Sequence, residues 1–192
     1  MHHSGGDIPI LGIMGWSGAG KTTLLEQLIP DLRQSGLKVS VIKHTHHTVD
    51  LDQPGKDSYR MRQAGATEII LAGQTRFALL HEIAQNSPNP LNLSEPPPLA
   101  SLVPRLTKVD LVLVEGFRHE NFPKIEIYRA ALGKKLIAPE DSAVLAVATD
   151  LPNALQNRPD LADLAGRPIL DLNNIPAISA FIRNWMARHN GI

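Results

Sequence analysis

A glycine-rich segment near the start of the sequence carries the residues with the clearest chemical role. It reads GWSGAGKTT and runs from Gly15 to Thr23. Gly15, Gly20, Lys21 and Thr22 match every fixed position of the pattern G-x-x-x-x-G-K-[ST], whose loop binds phosphate. The glycines allow backbone N–H groups to turn inward, the lysine reaches the terminal phosphates, and the threonine hydroxyl binds Mg²⁺. The segment therefore predicts a nucleotide-phosphate site.

The phosphate-binding pattern requires a strand before it and a helix after it. The apolar run Ile8 to Met14 predicts a buried strand, and leucines at helical spacing predict a helix over Thr22 to Gln34. Pro30 lies inside that helix and predicts a kink or an early end. The alternative is a flexible strand-to-helix turn in which the lysine and threonine are accidental. Since both flanking elements agree with a P-loop, we assign phosphate binding to Gly15, Trp16, Ser17, Gly18, Ala19, Gly20, Lys21, Thr22 and Thr23.

A carboxylate at the end of another apolar strand is predicted to complete the site. The run VDLVLVEGF, Val109 to Phe117, ends its buried strand at Glu115 and Gly116. Ligands of open α/β sheets gather at such carboxyl ends. Glu115 is expected to hold the Mg²⁺ shell or orient a water, and the N–H of Gly116 to face a γ-phosphate. The alternative for Glu115 is a plain turn carboxylate, and Asp110 is interpreted as solvated or capping.

A segment rich in histidine and acid follows the second predicted strand, Lys38 to Ile42. It reads KHTHHTVDLDQPGKDSYRMRQAGA and begins at the same edge of the sheet as the P-loop. Closely spaced imidazoles bind metals or anions, and a carboxylate here, Asp50 or preferably Asp52, is a candidate for the Mg²⁺ shell. A second phosphate-facing helix start is predicted nearby, with Asp57 as its N-cap, and plain capping is the alternative. The candidates for this second anion or pterin site are His44, His46, His47, Lys56, Asp57 and Ser58.

Strand-like apolar runs alternate with helical periodicity along the chain. This alternation predicts an α/β fold with a mostly parallel twisted sheet and helices on both faces. The run KIEIY, Lys124 to Tyr128, alternates charged and apolar residues and is interpreted as a half-exposed or edge strand. The proline-rich Gln85 to Arg105 is interpreted as a surface connection. The other predicted elements are strands over Glu68 to Ala72, Phe77 to Leu80, Ala143 to Ala148 and Ile169 to Leu172, a helix from Asp57 to Ala64, and a closing helix striped by Ile178, Phe181, Ile182, Trp185 and Met186.

Composition limits the class of protein. The 192 residues include 19 Lys+Arg and 19 Asp+Glu, so no bulk charge favours nucleic acid or an anionic membrane. Cysteine is absent, which excludes disulfides and thiolate chemistry. Apolar runs fall far short of the roughly 20 residues that cross a bilayer. We expect one cytoplasmic nucleotide-binding domain over residues 1–192, with residues 1–7 flexible.

The motifs together resemble the molybdopterin-guanine dinucleotide biosynthesis protein B family, MobB. The resemblance rests on GWSGAGKTTL, IKHTHH, GKDSYRMRQAGA, LVLVEGFRHE with PKIE, and AVATD. It implies a P-loop GTP-binding fold, weak GTPase activity and a homodimer. It also implies a helper role beside the nucleotidyltransferase MobA, which attaches GMP to molybdopterin, and it leaves open whether molybdopterin binds directly. Carried over by position, the Walker B-like role falls on Glu115 and Gly116, and the second signature falls on His44 to His47 and Asp52 to Ser58.

Base recognition is the weakest part of this resemblance. Ala148-Thr149-Asp150 follows a buried strand where many GTPases have N-K-x-D. Asp150 is predicted to accept hydrogen bonds from guanine. Because the Asn and Lys of that motif are missing, the residues alone do not decide whether the site selects GTP over ATP. No glutamine or arginine finger in cis is evident, so hydrolysis is predicted to be slow.

Two other functions fit the P-loop. A small-molecule kinase would use Lys21 and Mg²⁺ to align a γ-phosphoryl group, although no arginine-rich lid stands out. A metallochaperone-type GTPase would use the histidine run, although it lacks a cysteine partner.

Overall fold

The computed structural model describes residues 8–45, 51–83, 97–153, 164 and 166–189. The chain divides into two compact units, one formed by Met1–His44 with Pro98–Ile192 and the other by Thr45–Pro97. The interpretation as one nucleotide-binding domain stays a prediction. The expectations for residues 1–7, for His46, His47 and Asp50, and for much of the proline-rich connection fall outside the described residues.

Eight strands and four α-helices are described. None of these helices is both long and apolar enough to span a membrane. In chain order the elements are β1 (Ile10–Met14), α1 (Lys21–Gln34), β2 (Val39–Lys43), α2 (Asp57–Gln63), β3 (Glu68–Ala72), β4 (Phe77–His81), α3 (Leu99–Leu102), β5 (Leu111–Glu115), β6 (Lys124–Tyr128), β7 (Val144–Thr149), β8 (Ile169–Asp171) and α4 (Ile175–His189).

The first unit is built on a six-stranded sheet in the order β2-β5-β1-β6-β7-β8. Every neighbouring pair in it is parallel, which confirms the predicted parallel sheet. β1 lies in the interior of the sheet, between β5 and β6. The loop that leaves the carboxyl end of β1 is therefore flanked by the carboxyl ends of two other strands.

The main core lies between this sheet and the two long helices. Strand side chains alternate between the faces, so Leu11 and Ile13 of β1 point to the helical face, where both are fully buried. α1 does not end at Pro30 but continues to Gln34. The helical residues buried in this core are Leu24, Leu25, Leu28 and Leu32 of α1 and Ile178, Ile182, Trp185 and Met186 of α4.

The opposite face of the sheet carries two smaller apolar clusters. Leu99 of α3 packs with Val112 and Val114 of β5 in one of them. Met14 and Tyr128 pack with Ile137 and neighbouring residues in the other. Helical segments thus cover both faces, as the sequence predicts.

The interpretation of KIEIY as an edge strand is wrong. β6 pairs with β1 on one side and β7 on the other, and all five of its residues are buried. The ammonium of Lys124, only 2% exposed, lies 2.9 Å from a carboxylate oxygen of Asp141. Glu126, with no exposed surface, accepts hydrogen bonds from the backbone N–H groups of Ile137 (2.9 Å) and Ala138 (2.7 Å). These distant partners satisfy charges that would otherwise require solvent.

Burial changes the proton affinity of this cluster. It raises the pKa of Glu126, although the N–H groups of Ile137 and Ala138 oppose the rise. Burial also works to raise the pKa of Asp141, but its hydrogen bonds from Lys124 and the N–H of Ala143 outweigh that effect and leave this pKa below its ordinary value. The cluster is therefore a structural ion pair beside a carboxyl group held by backbone amides.

The second unit contains α2 and an antiparallel hairpin of β3 and β4. The predicted strands over Glu68 to Ala72 and Phe77 to Leu80 exist, but they lie outside the parallel sheet. Most of β3 is exposed, which is incompatible with a strand buried on both faces. α2 begins at Asp57 with Lys56 as its N-cap, so the assignment of Asp57 as the cap is wrong. Asp57 instead occupies the first turn of α2, where a negative charge complements the helix dipole.

Candidate nucleotide-phosphate site

The P-loop connects β1 to α1 and leaves the start of α1 open to an anion. Gly20 is the N-cap of the helix, and no side chain in the described part of the chain caps this terminus. The first helical hydrogen bond runs from the N–H of Leu24 to the oxygen of Gly20, at 2.9 Å. Helix geometry leaves the N–H groups of the first turn without an intrahelical acceptor. Together with the helix dipole, these groups make the terminus suited to bind a phosphate.

Gly15 brings the P-loop close to the backbone of β6. A Cβ at this position would lie 2.4 Å from the carbonyl oxygen of Ile127, and the φ angle is +146°. Only glycine accepts this approach without a backbone shift. The first glycine of the motif is thus required by packing against β6, apart from its predicted role toward phosphate.

Lys21 lies against the backbone of its own loop. Its ammonium donates to the carbonyl oxygens of Gly15 (3.0 Å) and Trp16 (3.1 Å). Burial lowers the pKa of Lys21, Glu115 opposes this change, and Lys43 adds to it. The cation is therefore held at the loop, and its reach to the terminal phosphates stays a prediction.

Thr22 and Glu115 come together as the sequence predicts. The Thr22 hydroxyl lies 3.1 and 3.3 Å from the two carboxylate oxygens of Glu115. Glu115 is 9% exposed and pairs in register with Ile13 of β1, so the parallel alignment places this acid directly beside the P-loop. A hydroxyl and a carboxylate at hydrogen-bond distance are hard oxygen ligands of the kind that Mg²⁺ prefers.

Lys43 is a site residue that the sequence analysis misses. It is the last residue of β2 and pairs in register with Glu115. Its ammonium lies 3.4 Å from Glu115 Oε2 and 3.5 Å from Thr22 Oγ1. The sequence shows only a lysine at the carboxyl end of a predicted strand. The pairing of β2 with β5 is what places this lysine beside Glu115.

His44 and Gly116 pack against each other at the same edge. The N–H of His44 donates to the backbone oxygen of Glu115 at 2.8 Å, and its ring lies 5.2 Å from that of Phe117. A Cβ on Gly116 would lie 2.6 Å from the Cβ of His44. The contact fixes the chain after Glu115, while the role of the Gly116 N–H toward a γ-phosphate stays a prediction.

Asp150 lies at the carboxyl end of β7 and is paired with an arginine that the sequence analysis does not single out. Arg129 donates through Nη1 to Asp150 Oδ2 at 2.8 Å and through Nε to the oxygen of Ala19 at 3.0 Å. Tyr128 and Thr149 pair in register, so the residues that follow them are brought side by side. Arg129 thus joins the predicted base-recognition carboxylate to the P-loop.

Trp16 anchors the outer side of the P-loop. Its indole N–H donates to the oxygen of Lys135 at 2.8 Å. The guanidinium of Arg118 lies 4.9 Å and the ammonium of Lys134 5.7 Å from its ring. Ala19 is buried, whereas the remaining P-loop assignments, Ser17, Gly18 and Thr23, are exposed.

The other predicted site residues lie in the second unit or outside the described residues. The carboxylate of Asp52 is bound on both oxygens by Arg62, at 3.2 and 3.1 Å. Lys56, Asp57 and Ser58 lie at the start of α2. Where the structure describes the chain, no three His, Cys, Asp or Glu side chains group closely enough to hold a metal ion. His46 and His47 fall in an undescribed range.

Comparison with known proteins gives a consistent result. The family model described as "Molybdopterin guanine dinucleotide synthesis protein B" matches residues 10–150. A Haemophilus influenzae protein named "Molybdopterin-guanine dinucleotide biosynthesis adapter protein" is 46% identical over 185 residues, covering 96% of this chain and 93% of that protein. The Escherichia coli protein of the same name is 43% identical over 188 residues, covering 96% and 97%.

Solved structures agree with these sequence relatives. A crystal structure of molybdopterin-guanine biosynthesis protein B is 26% identical, covers 92% of this chain and 99% of its own, and has a TM-score of 0.61. Bacillus subtilis MobB, at 21% identity, covers 92% and 97% with a TM-score of 0.63 and supports the fold. The predicted P-loop α/β fold is confirmed. The chain belongs to the molybdopterin guanine dinucleotide synthesis protein B family.

Proposed function

We propose that this protein is a GTP-binding adapter in the synthesis of molybdopterin guanine dinucleotide. Its relatives are named adapter proteins of that synthesis, and an adapter acts beside a partner enzyme. We take the partner to be the guanylyltransferase MobA and the compartment to be the cytoplasm. The observation that carries the proposal is the P-loop with Lys21 inside it and the Thr22–Glu115 pair beside it.

The chain's own residues divide the work of holding a triphosphate. The first-turn N–H groups of α1 and the P-loop amides bind phosphate oxygens, and the ammonium of Lys21 leaves its carbonyl acceptors to neutralise β- and γ-phosphate charge. The Thr22 hydroxyl and the Glu115 carboxylate are hard oxygen ligands and would hold Mg²⁺ at this site. When bound, the ion neutralises developing phosphate charge. We do not assign Asp52 to this shell, because Arg62 already binds both of its oxygens.

Guanine selection is assigned to Asp150. A carboxylate accepts from the N1–H and N2–H groups of guanine and has no matching donors on adenine. Arg129 holds one oxygen of this carboxylate at 2.8 Å and thereby orients it before the base arrives. The same guanidinium also bonds to the oxygen of Ala19. Because these two hydrogen bonds hold it in place, we do not assign it as an arginine finger. Slow hydrolysis therefore remains our expectation.

Homodimer formation is assigned to the hairpin of the second unit. Ile70 pairs with Leu79 and Ala72 with Phe77, which puts these four side chains on one face of the two-stranded sheet. Ile70 is 64%, Leu79 43% and Phe77 70% exposed. A two-stranded hairpin is marginally stable alone, and an exposed apolar face of this kind marks an interaction surface. In a homodimer, the same face of a second chain would bury it. Light scattering of the purified chain tests this assignment. We expect the mass of two chains, and the mass of one chain would contradict it.

Calorimetric titration with GTP and ATP, with and without Mg²⁺, tests the nucleotide assignment. The matched variant is Lys21→Ala, which removes the ammonium and leaves the loop glycines in place. Loss of about two charge-assisted hydrogen bonds is expected to weaken GTP binding roughly 10²- to 10⁴-fold. Failure of the unaltered protein to bind GTP up to about 1 mM, or equal GTP affinity in the variant, contradicts the proposal.

Two further assays separate this function from its alternatives. Co-purification with the guanylyltransferase tests the adapter role. Transfer of labelled γ-phosphate to a small acceptor faster than its hydrolysis would instead favour a kinase.

A further inference from the structure

Lys43 is placed at the phosphate site by the sheet. It ends β2 directly opposite Glu115 in the parallel register, so its side chain leaves the same sheet edge as the P-loop. The ammonium lies 3.4 Å from Glu115 Oε2 and 3.5 Å from the Thr22 hydroxyl. Lys43 is part of the segment IKHTHH that resembles the family, but the resemblance assigns a role only to the residues from His44 onward.

The contacts of Lys43 coincide with the pair assigned to Mg²⁺. Thr22 and Glu115 supply the hard oxygen ligands, and the ammonium of Lys43 lies beside both of them. Lys43 also acts electrostatically on Lys21, where the two like charges repel. Glu115 pairs with the ammonium of Lys43 and acts electrostatically on that of Lys21, so two positive groups face one carboxylate before a phosphate enters.

The side chain of Lys43 has freedom to move. It is 57% exposed, whereas that of Glu115 is 11% exposed. A lysine has a flexible four-carbon stem and a compact ammonium with three donors. The ammonium therefore has open space in which to turn toward a ligand, whereas the carboxylate is enclosed.

We propose that Lys43 is a second phosphate-binding lysine, which pairs with Glu115 while no nucleotide is bound and turns to the terminal phosphate when nucleotide binds. The inference rests on the proposed function and extends it to a residue of β2. An isolated exposed ion pair contributes little, so a purely structural Lys43–Glu115 pair would leave nucleotide affinity unchanged. A phosphate contact would instead be strongest when no metal shares the γ-phosphate charge.

The test compares Lys43→Gln with Lys38→Gln in the full chain. Lys38 is exposed and lies just before β2, at the opposite end of the strand, so both variants lose one positive charge. GTP and GDP affinities are measured by calorimetry in EDTA and in Mg²⁺, and thermal unfolding confirms that each variant folds. Lys43→Gln is expected to weaken GTP binding in EDTA about tenfold to a hundredfold, the effect of one lost charge-assisted hydrogen bond. GDP binding should change less, Lys38→Gln should match the unaltered protein, and Lys43→Arg should restore part of the loss.

The outcomes separate this inference from the proposed function. If the unaltered protein binds no GTP, both fail. If it binds GTP and Lys43→Gln behaves like Lys38→Gln, only the role of Lys43 is overturned. Tighter GTP binding by Lys43→Gln in Mg²⁺ also overturns it, because the ammonium would then merely block Glu115.

Discussion

Replacing Gly15 with alanine tests whether the P-loop depends on its close approach to β6. The new methyl would lie 2.4 Å from the carbonyl oxygen of Ile127, about 1 Å closer than an ordinary carbon–oxygen contact. Because the neighbour is backbone, the loop or β6 must move. Overpacking of this kind costs about 1–3 kcal/mol, and a side chain at φ +146° adds about 1–2 kcal/mol. We expect the free energy of unfolding to fall by about 2–5 kcal/mol.

Gly36→Ala is the matched control for this change. Gly36 also has a positive φ, of +90°, but nothing lies within 4 Å of its added Cβ. Only backbone strain applies there, so the expected loss is about 1 kcal/mol. Gly36 follows α1 and lies at the opposite end of that helix from the P-loop, and its variant should bind GTP normally.

Urea denaturation measures the two stabilities, and calorimetry measures GTP binding in each folded variant. Because the displaced loop can no longer aim its N–H groups, Gly15→Ala is expected to lose GTP affinity by at least about a hundredfold. Equal stabilities of the two variants, or GTP binding by Gly15→Ala at the unaltered affinity, would refute the packing argument.

The other expected outcomes concern the arginine beside the P-loop and the buried ion pair. Arg129→Gln releases Asp150, so GTP and GDP affinities should fall together by about tenfold, while weak ATP binding stays the same; an unchanged GTP-to-ATP ratio in a competition assay would remove the positioning role. Asp141→Asn leaves the ammonium of Lys124 buried without its ion pair and should lower the free energy of unfolding at pH 7 by about 3 kcal/mol. Since the pKa of Asp141 is lower in the folded chain than its ordinary value, its ionised form stabilises the fold above about pH 4 and this stabilisation is lost as pH falls through the folded pKa. Denaturation at a series of pH values should therefore show a shallower acid decline in Asp141→Asn, and an equally steep decline would contradict the assignment.

Local chemistry explains what could be predicted from the residues alone. The P-loop pattern is local, because Gly15, Gly20, Lys21 and Thr22 lie within the turn that joins β1 to α1 and the start of that helix. The position of Glu115 follows from a buried strand that ends in an acid. Apolar runs alternating with helical periodicity were enough to predict a parallel sheet, since strands buried on both faces have that composition.

Tertiary pairing decided the rest. Lys43 reaches Glu115, and Arg129 reaches Asp150, only because parallel strands from distant parts of the chain end side by side. The charged residues of β6 indicated an exposed edge, and the structure buries them because Asp141 and the amides near Ile137 satisfy them. The spacing of polar and apolar residues within a strand does not indicate partners that come from other parts of the chain. The amino-acid sequence by itself therefore predicted a phosphate site and the loop that would form it, and the tertiary structure decided which other charges surround that loop, because electrostatic contacts depend on distance in space.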